Sequence, residues 1–147
     1  MAAYKFNLQK VLDLKENIEK EKKNEFGFAI KRLENEKAIL VQLEGEMRDC
    51  CNEFEESTAR GIQVDQLRII LDSIEYYKKS IKNQKVKIKM AEGYIEICRQ
   101  ELIKATKEKK MMEKLKEIDY KKFQYSEQKK EEKLVDDLVS FKESNNS

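Results

Sequence analysis

Arg60-Gly61-Ile62-Gln63-Val64-Asp65 is the one clear break in an otherwise uninterrupted helical pattern. Gly61 can take the left-handed conformation that ends a helix, because it has no Cβ to clash. Asp65 is expected to accept hydrogen bonds from the free N–H groups that open the next helix. Ile62 and Val64 occupy the positions after a C-cap and before an N-cap where apolar residues lock helix ends. So short a break makes the flanking helices antiparallel neighbours.

Outward from that break, apolar residues recur in 3-4 alternation on both sides. Before it stand Phe26, Ala29, Leu33, Leu40, Leu43, Met47, Cys50 and Phe54, with Glu36 the one polar interruption. After it stand Leu67, Ile70, Ile74, Tyr77, Ile81, Ile88, Ala91, Ile95, Cys98, Leu102 and Ala105, interrupted only by Gln84. Such spacing held over several heptads is a coiled-coil seam. Antiparallel pairing matches Phe54 with Ile70, Met47 with Tyr77, Leu43 with Ile81, Leu33 with Ala91 and Ala29 with Ile95. Each pair of numbers adds to 124, so the axis passes through residue 62, inside the break. The fold class predicted is all-α: a single long antiparallel two-helix coiled-coil hairpin, with the second helix longer than the first. The expected boundaries within one domain, 1–147, are a helix over about 5–58, a turn over about 59–65, a helix over about 66–141 and a frayed tail over 142–147.

Composition agrees. The 147 residues include no Pro, no Trp, no His and only four Gly, while 41% are charged and 39% apolar. A narrow core under a large charged surface is the mark of long helices. The sustained apolar period argues against disorder. Lysines 78, 79, 82, 85, 87 and 89 form a basic run with no acid among them, and Glu36, Glu44 and Glu46 are their expected antiparallel counterparts. Exposed pairs of this kind select register more than they stabilise.

The same register pairs Leu12 with Met112 and Phe6 with Ile118. Between Ile18 and Phe26, and beyond Ala105, Lys22 and Lys109 interrupt the seam, so the hairpin is expected to loosen there. At about 1.5 Å per residue a helix of this length is a rod of roughly 80 Å, with a C-terminal overhang of roughly 30 Å. The overhang keeps an amphipathic stripe in Phe123, Leu134, Leu138 and Phe141, and no remaining part of the chain is expected to cover it. An apolar helix face without an intramolecular partner marks a binding surface.

Several functions find no support. Without His, the usual general base near neutral pH is absent. No Gly-rich phosphate loop or metal-ligand spacing occurs, so neither cofactor nor metal is expected and the chain is read as non-enzymatic. The acidic pairs Glu55-Glu56, Glu131-Glu132 and Asp136-Asp137 read as solvated surface. A formal net charge of +2 lacks the concentration of basic charge that nucleic acid calls for. No apolar run approaches the roughly eighteen residues of a membrane span, and the N-terminus has no signal core. Three cysteines without CxxC spacing fit a reducing compartment, with Cys50 and Cys98 as seam fillers and Cys51 off the seam. The expectation is a soluble cytoplasmic protein, monomeric on its own. Gln84 and Glu36, in neighbouring layers, either fix the register or mark a soft spot. Tyr76 and Tyr94 lie off the seam and could anchor partners or pack on lysine stems.

Phe6-Asn7-Leu8-Gln9-Lys10-Val11-Leu12-Asp13-Leu14-Lys15-Glu16 resembles the opening of FliJ, a flagellar export protein family. The turn at Gly61 followed by Leu67 and the Ile74–Tyr77 region fit the same family. So does the ending, from Glu113-Lys114-Leu115-Lys116 through Tyr120 and Phe123 to Glu131-Glu132-Lys133-Leu134-Val135-Asp136-Asp137, although the acidic pair here lacks the Glu common in the family. The resemblance implies a component of the flagellar type III export apparatus at the cytoplasmic face of the bacterial membrane. Such proteins are similar to the γ stalk of rotary ATPases. The resemblance further implies insertion of the paired termini into the hexameric export ATPase FliI, contact with the export gate FlhA and handling of export chaperones. On that basis Phe6, Leu8, Val11, Leu12, Leu115, Tyr120, Phe123, Leu134 and Leu138 are the candidate residues for the ATPase ring. The rivals are a self-associating structural hairpin and a coiled-coil holdase such as prefoldin, which needs β-hairpin strands between its helices.

Overall fold

A computed structural model describes residues 2–146; Met1 and Ser147, the latter the last residue of the expected frayed tail, lie outside the described residues. Helix α1 runs Gln9–Arg60 and helix α2 runs Val64–Asn145. They form the antiparallel hairpin the seam predicts, and α2, with 82 residues against 52, is much the longer. Its end lies beyond the expected residue 141.

The turn is tighter than expected. Among the described residues Gly61 alone carries the left-handed conformation, with φ at 71°. The Ile62 amide donates to the Ser57 carbonyl and the Gly61 amide to the Thr58 carbonyl, both at 3.3 Å. This crossed pair is the Schellman arrangement, which satisfies carbonyls that the helix end would otherwise leave free. On the far side the Gln63 carbonyl accepts from Leu67 at 3.2 Å, so Gln63 stands at the N-cap. Asp65 is therefore not the cap. It sits in the first turn of α2, where its charge faces the positive end of the helix dipole. Val64 is 70% exposed and locks nothing, whereas Ile62 is half-buried.

The chain packs as two compact units, one of residues 22–102 and one of residues 1–21 with 103–147. In the first, every seam position from Phe26 to Leu102 is buried or half-buried. Its tightest cluster is Ala29, Ile95 and Cys98, with Phe26 and Leu33 packed against it. Small residues at Ala29 and Ala91, each at most 2% exposed, let the backbones approach. Arg99 lies over the Phe26 ring, 5.9 Å from its centre. Gln84 is buried and donates through Nε2 to the Glu36 carbonyl at 2.9 Å and to the Glu36 carboxylate. The two polar interruptions of the seam thus answer one another, as a device that fixes register does. All three cysteines are free, and burial pushes the half-buried Cys50 thiol up. Cys51 is half-buried too.

The lysine run does not make its expected ion pairs. Lys78, Lys79, Lys82, Lys85, Lys87 and Lys89 are all exposed, and Glu46 instead lies beside Tyr77, whose phenol it pushes up by hydrogen bonding. The register of this unit comes from the seam and the Gln84–Glu36 contact.

In the second unit, polar contacts replace much of the seam. Glu19 is only 5% exposed and holds Lys109 at 3.0 Å, while Lys15 meets Glu108 at 3.0 Å. Lys22, at the start of the other unit, meets Glu101 at 3.1 Å. The expected loosening around Lys22 and Lys109 is thus taken up by ion pairs. Phe6, Leu12 and Ala105 supply the apolar contribution, each at most 7% exposed.

Candidate partner-binding surface

Residues 2–8 are not helical, contrary to the expected start near residue 5. Asn7 and Leu8 form a turn, closed by the Gln9 amide on the Phe6 carbonyl at 3.1 Å. The Leu8 carbonyl then accepts from Leu12 at 3.0 Å and opens α1. Asn at such a turn is favoured because its side chain bonds readily to nearby backbone.

The short arm before that turn lays Tyr4 against α2. Its hydroxyl donates to the Asp119 carboxylate at 2.9 Å and reaches the Lys116 carbonyl at 3.4 Å. Its ring meets Tyr120 edge-on, centres 5.0 Å apart, and Phe123 at 5.3 Å. Desolvation, with the Asp119 carboxylate alongside, pushes the Tyr4 phenol up. Lys116 also donates to Gln9 at 2.7 Å, joining the start of α1 to the same stretch of α2.

This arm revises the expected bare stripe. Phe123 is covered by Tyr4 and half-buried, so it is not part of an open face. Phe6 and Leu12 are buried, at 7% and 3%, and spend their surface inside the hairpin. Leu8, Val11, Leu115 and Tyr120 remain exposed at 37–46% around the arm. Leu134 and Leu138 are open at about 60%, and the other exposed apolar residues beside them are Val135, Val139 and Phe141. From Gln128 to Asn146 every residue is exposed. Of the nine candidates, then, the structure gathers Phe6, Leu12 and Phe123 into packing and leaves six on the surface. Sequence reasoning missed Tyr4 and Asp119; Asn7, a turn former just before the periodic run, is the signal that could have found the arm.

The uncovered segment is amphipathic. Leu134, Leu138 and Phe141 follow one another at spacings of four and three, flanked by Asp136 and Asp137. It offers apolar anchors and carboxylates and no catalytic constellation. Among the described residues no group of acidic or cysteine side chains has the arrangement to hold a metal ion. Among the described residues no helix is long and apolar enough to cross a membrane.

These features define an all-α helical-hairpin protein whose second helix carries exposed apolar residues at its end. The chain belongs to the FliJ family: the family model for the flagellar FliJ protein matches residues 4–147. Membership makes it a component of flagellar type III protein export, in flagellum biogenesis. No curated protein and no solved structure matches the chain.

Proposed function

We propose that the chain is a non-enzymatic stalk and coupling component of the flagellar export apparatus, acting at the cytoplasmic face of the membrane. It engages the export ATPase ring FliI through the end of α2 and the arm beside it, and it also contacts the gate FlhA and export chaperones. The observation that supports this most directly is the open amphipathic face after Gln128, in a chain whose family works in export. Six residues carry the ring contact: Leu8, Val11, Leu115, Tyr120, Leu134 and Leu138. Phe6, Leu12 and Phe123 hold the shape that presents them. Turnover of the ATPase changes when its ring states bind this surface unequally. The prefoldin-like rival has no place for its strands, because the link between α1 and α2 is only three residues long.

The test is a pull-down with the export ATPase, with its hydrolysis rate read in parallel. Leu138→Asp should weaken capture at least about tenfold, as loss of a central anchor does, and leave the melting temperature unchanged. Wild-type capture and wild-type stimulation by a Leu134→Asp/Leu138→Asp double variant would overturn the assignment.

A further inference from the structure

Elsewhere on α2, four lysines find acids one turn away. Lys109 meets Glu113, Lys121 meets Glu117, Lys129 meets Glu132 and Lys130 meets Glu127. Between Tyr76 and Ala91 there is no acid at all, and the six lysines there make no ion pair among the described residues. Like charges one turn apart on a helix repel, and an acidic partner would relieve that repulsion. Tyr76, Lys79, Lys82, Val86, Lys89 and Met90 share the face turned away from the seam residues Ile81, Gln84 and Ile88. Its apolar members are open: Tyr76 64%, Val86 54% and Met90 64%. An apolar strip edged by lysines calls for an acidic amphipathic helix.

The chain itself contains one. Residues 131–143 carry Glu131, Glu132, Asp136, Asp137 and Glu143 against only Lys133 and Lys142. Their exposed apolar side chains are Leu134, Val135, Leu138, Val139 and Phe141. Both segments are about 20 Å long at the rise of an α-helix, so they match in length as well as in charge. Both segments belong to α2.

We propose that the acidic segment 131–143 of one copy docks on the α2 face formed by Tyr76, Lys79, Lys82, Val86, Lys89 and Met90 of a second copy. The chain then self-associates with rising concentration, in place of the monomer expected from sequence for the chain alone. The contact does not depend on the ATPase reading, although it covers Leu134 and Leu138. Opposite charge sets its orientation and makes it salt-sensitive, and the apolar side chains give it affinity.

Sedimentation of the full chain tests this. At roughly 100 µM and about 50 mM salt, the weight-average mass should exceed the 17.5 kDa of one chain, and about 500 mM salt should return it to that value. Lys82→Glu/Lys89→Glu should weaken association at least about tenfold, and so should Asp136→Lys/Asp137→Lys. Mixing the two variants should restore it, since each then meets a complementary surface. All four positions are exposed, and circular dichroism checks that both variants stay helical. A single-chain mass at low salt, or association that both charge reversals leave intact, would overturn the proposal. So would a mixture that behaves like its separate components.

Discussion

The two compact units are held together by different physics. Residues 22–102 close over an apolar seam, with Ala29, Ile95 and Cys98 at its tightest point, and their polar cross-helix contacts, such as Gln84–Glu36 and Lys22–Glu101, are secondary to it. In the unit of residues 1–21 and 103–147, the cross-helix contacts are largely ion pairs, Lys109–Glu19 and Lys15–Glu108, and an aromatic clasp at Tyr4. Apolar burial is non-directional and scales with area, whereas charged contacts depend on geometry, salt and pH. The comparison teaches that one unit supplies the stability of the hairpin and the other is tunable. It is the tunable one that bears the open end.

The largest test of that contrast is a charge placed in the apolar unit. Ile95→Asp buries an unpaired carboxylate beside Ala29 and Cys98, and it should lower stability by about 3 kcal/mol or more, read from urea denaturation followed by circular dichroism. A smaller effect is expected in the ion-paired unit. Lys109→Met takes one partner from the buried Glu19 and should lower the melting temperature. The double variant Glu19→Leu/Lys109→Met should recover it or exceed wild type, because replacing both members removes the desolvation of two charges. If the double variant melts lower than the single one, the ion pair is a net stabiliser and the contrast must be redrawn.

Acid gives the smallest and most local effect. The Lys15 ammonium beside Glu108 holds its carboxyl below the ordinary glutamate range. A carboxylate with a depressed folded-state pKa adds stability above its unfolded pKa, and that stability is lost as pH falls through the folded pKa. The protection of amides around Glu108, taken relative to their intrinsic exchange rates at each pH, should therefore fall on acidification below the ordinary glutamate range. Lys15→Met should flatten this response, while exchange around Ile95 should not share it. Equal acid sensitivity at both places would erase the difference between the units.

Most of the seam was legible because a 3-4 alternation of apolar residues has one structural solution when a break with Gly sits at its centre. The cross-helix contacts bear out the register: Tyr4–Asp119, Lys15–Glu108, Lys22–Glu101 and Glu36–Gln84 all fall within about one helical turn of the predicted pairing. The charge argument failed at Lys78–Lys89 because charge pattern counts residues without knowing which way they face. Those lysines are exposed and make no ion pair across to α1 among the described residues. The candidate surface was half legible for a related reason. Periodicity showed that Phe6, Leu12 and Phe123 belong to an apolar face, but not that Tyr4 and the hairpin itself would use that face up.

The hydroxyl bond from Tyr4 to Asp119 joins residues 115 apart in sequence, whereas Ile62 and Ser57 close the turn across five. Closing a long loop loses more chain entropy than closing a short one, and a hairpin escapes most of that loss by zipping outward from its bend. The tyrosine clasp is then the last tooth to engage as the chain folds and the first to part when it opens. Fraying would begin at the very end that export partners are proposed to grip, and a ring closing around that end would hold the zipper shut.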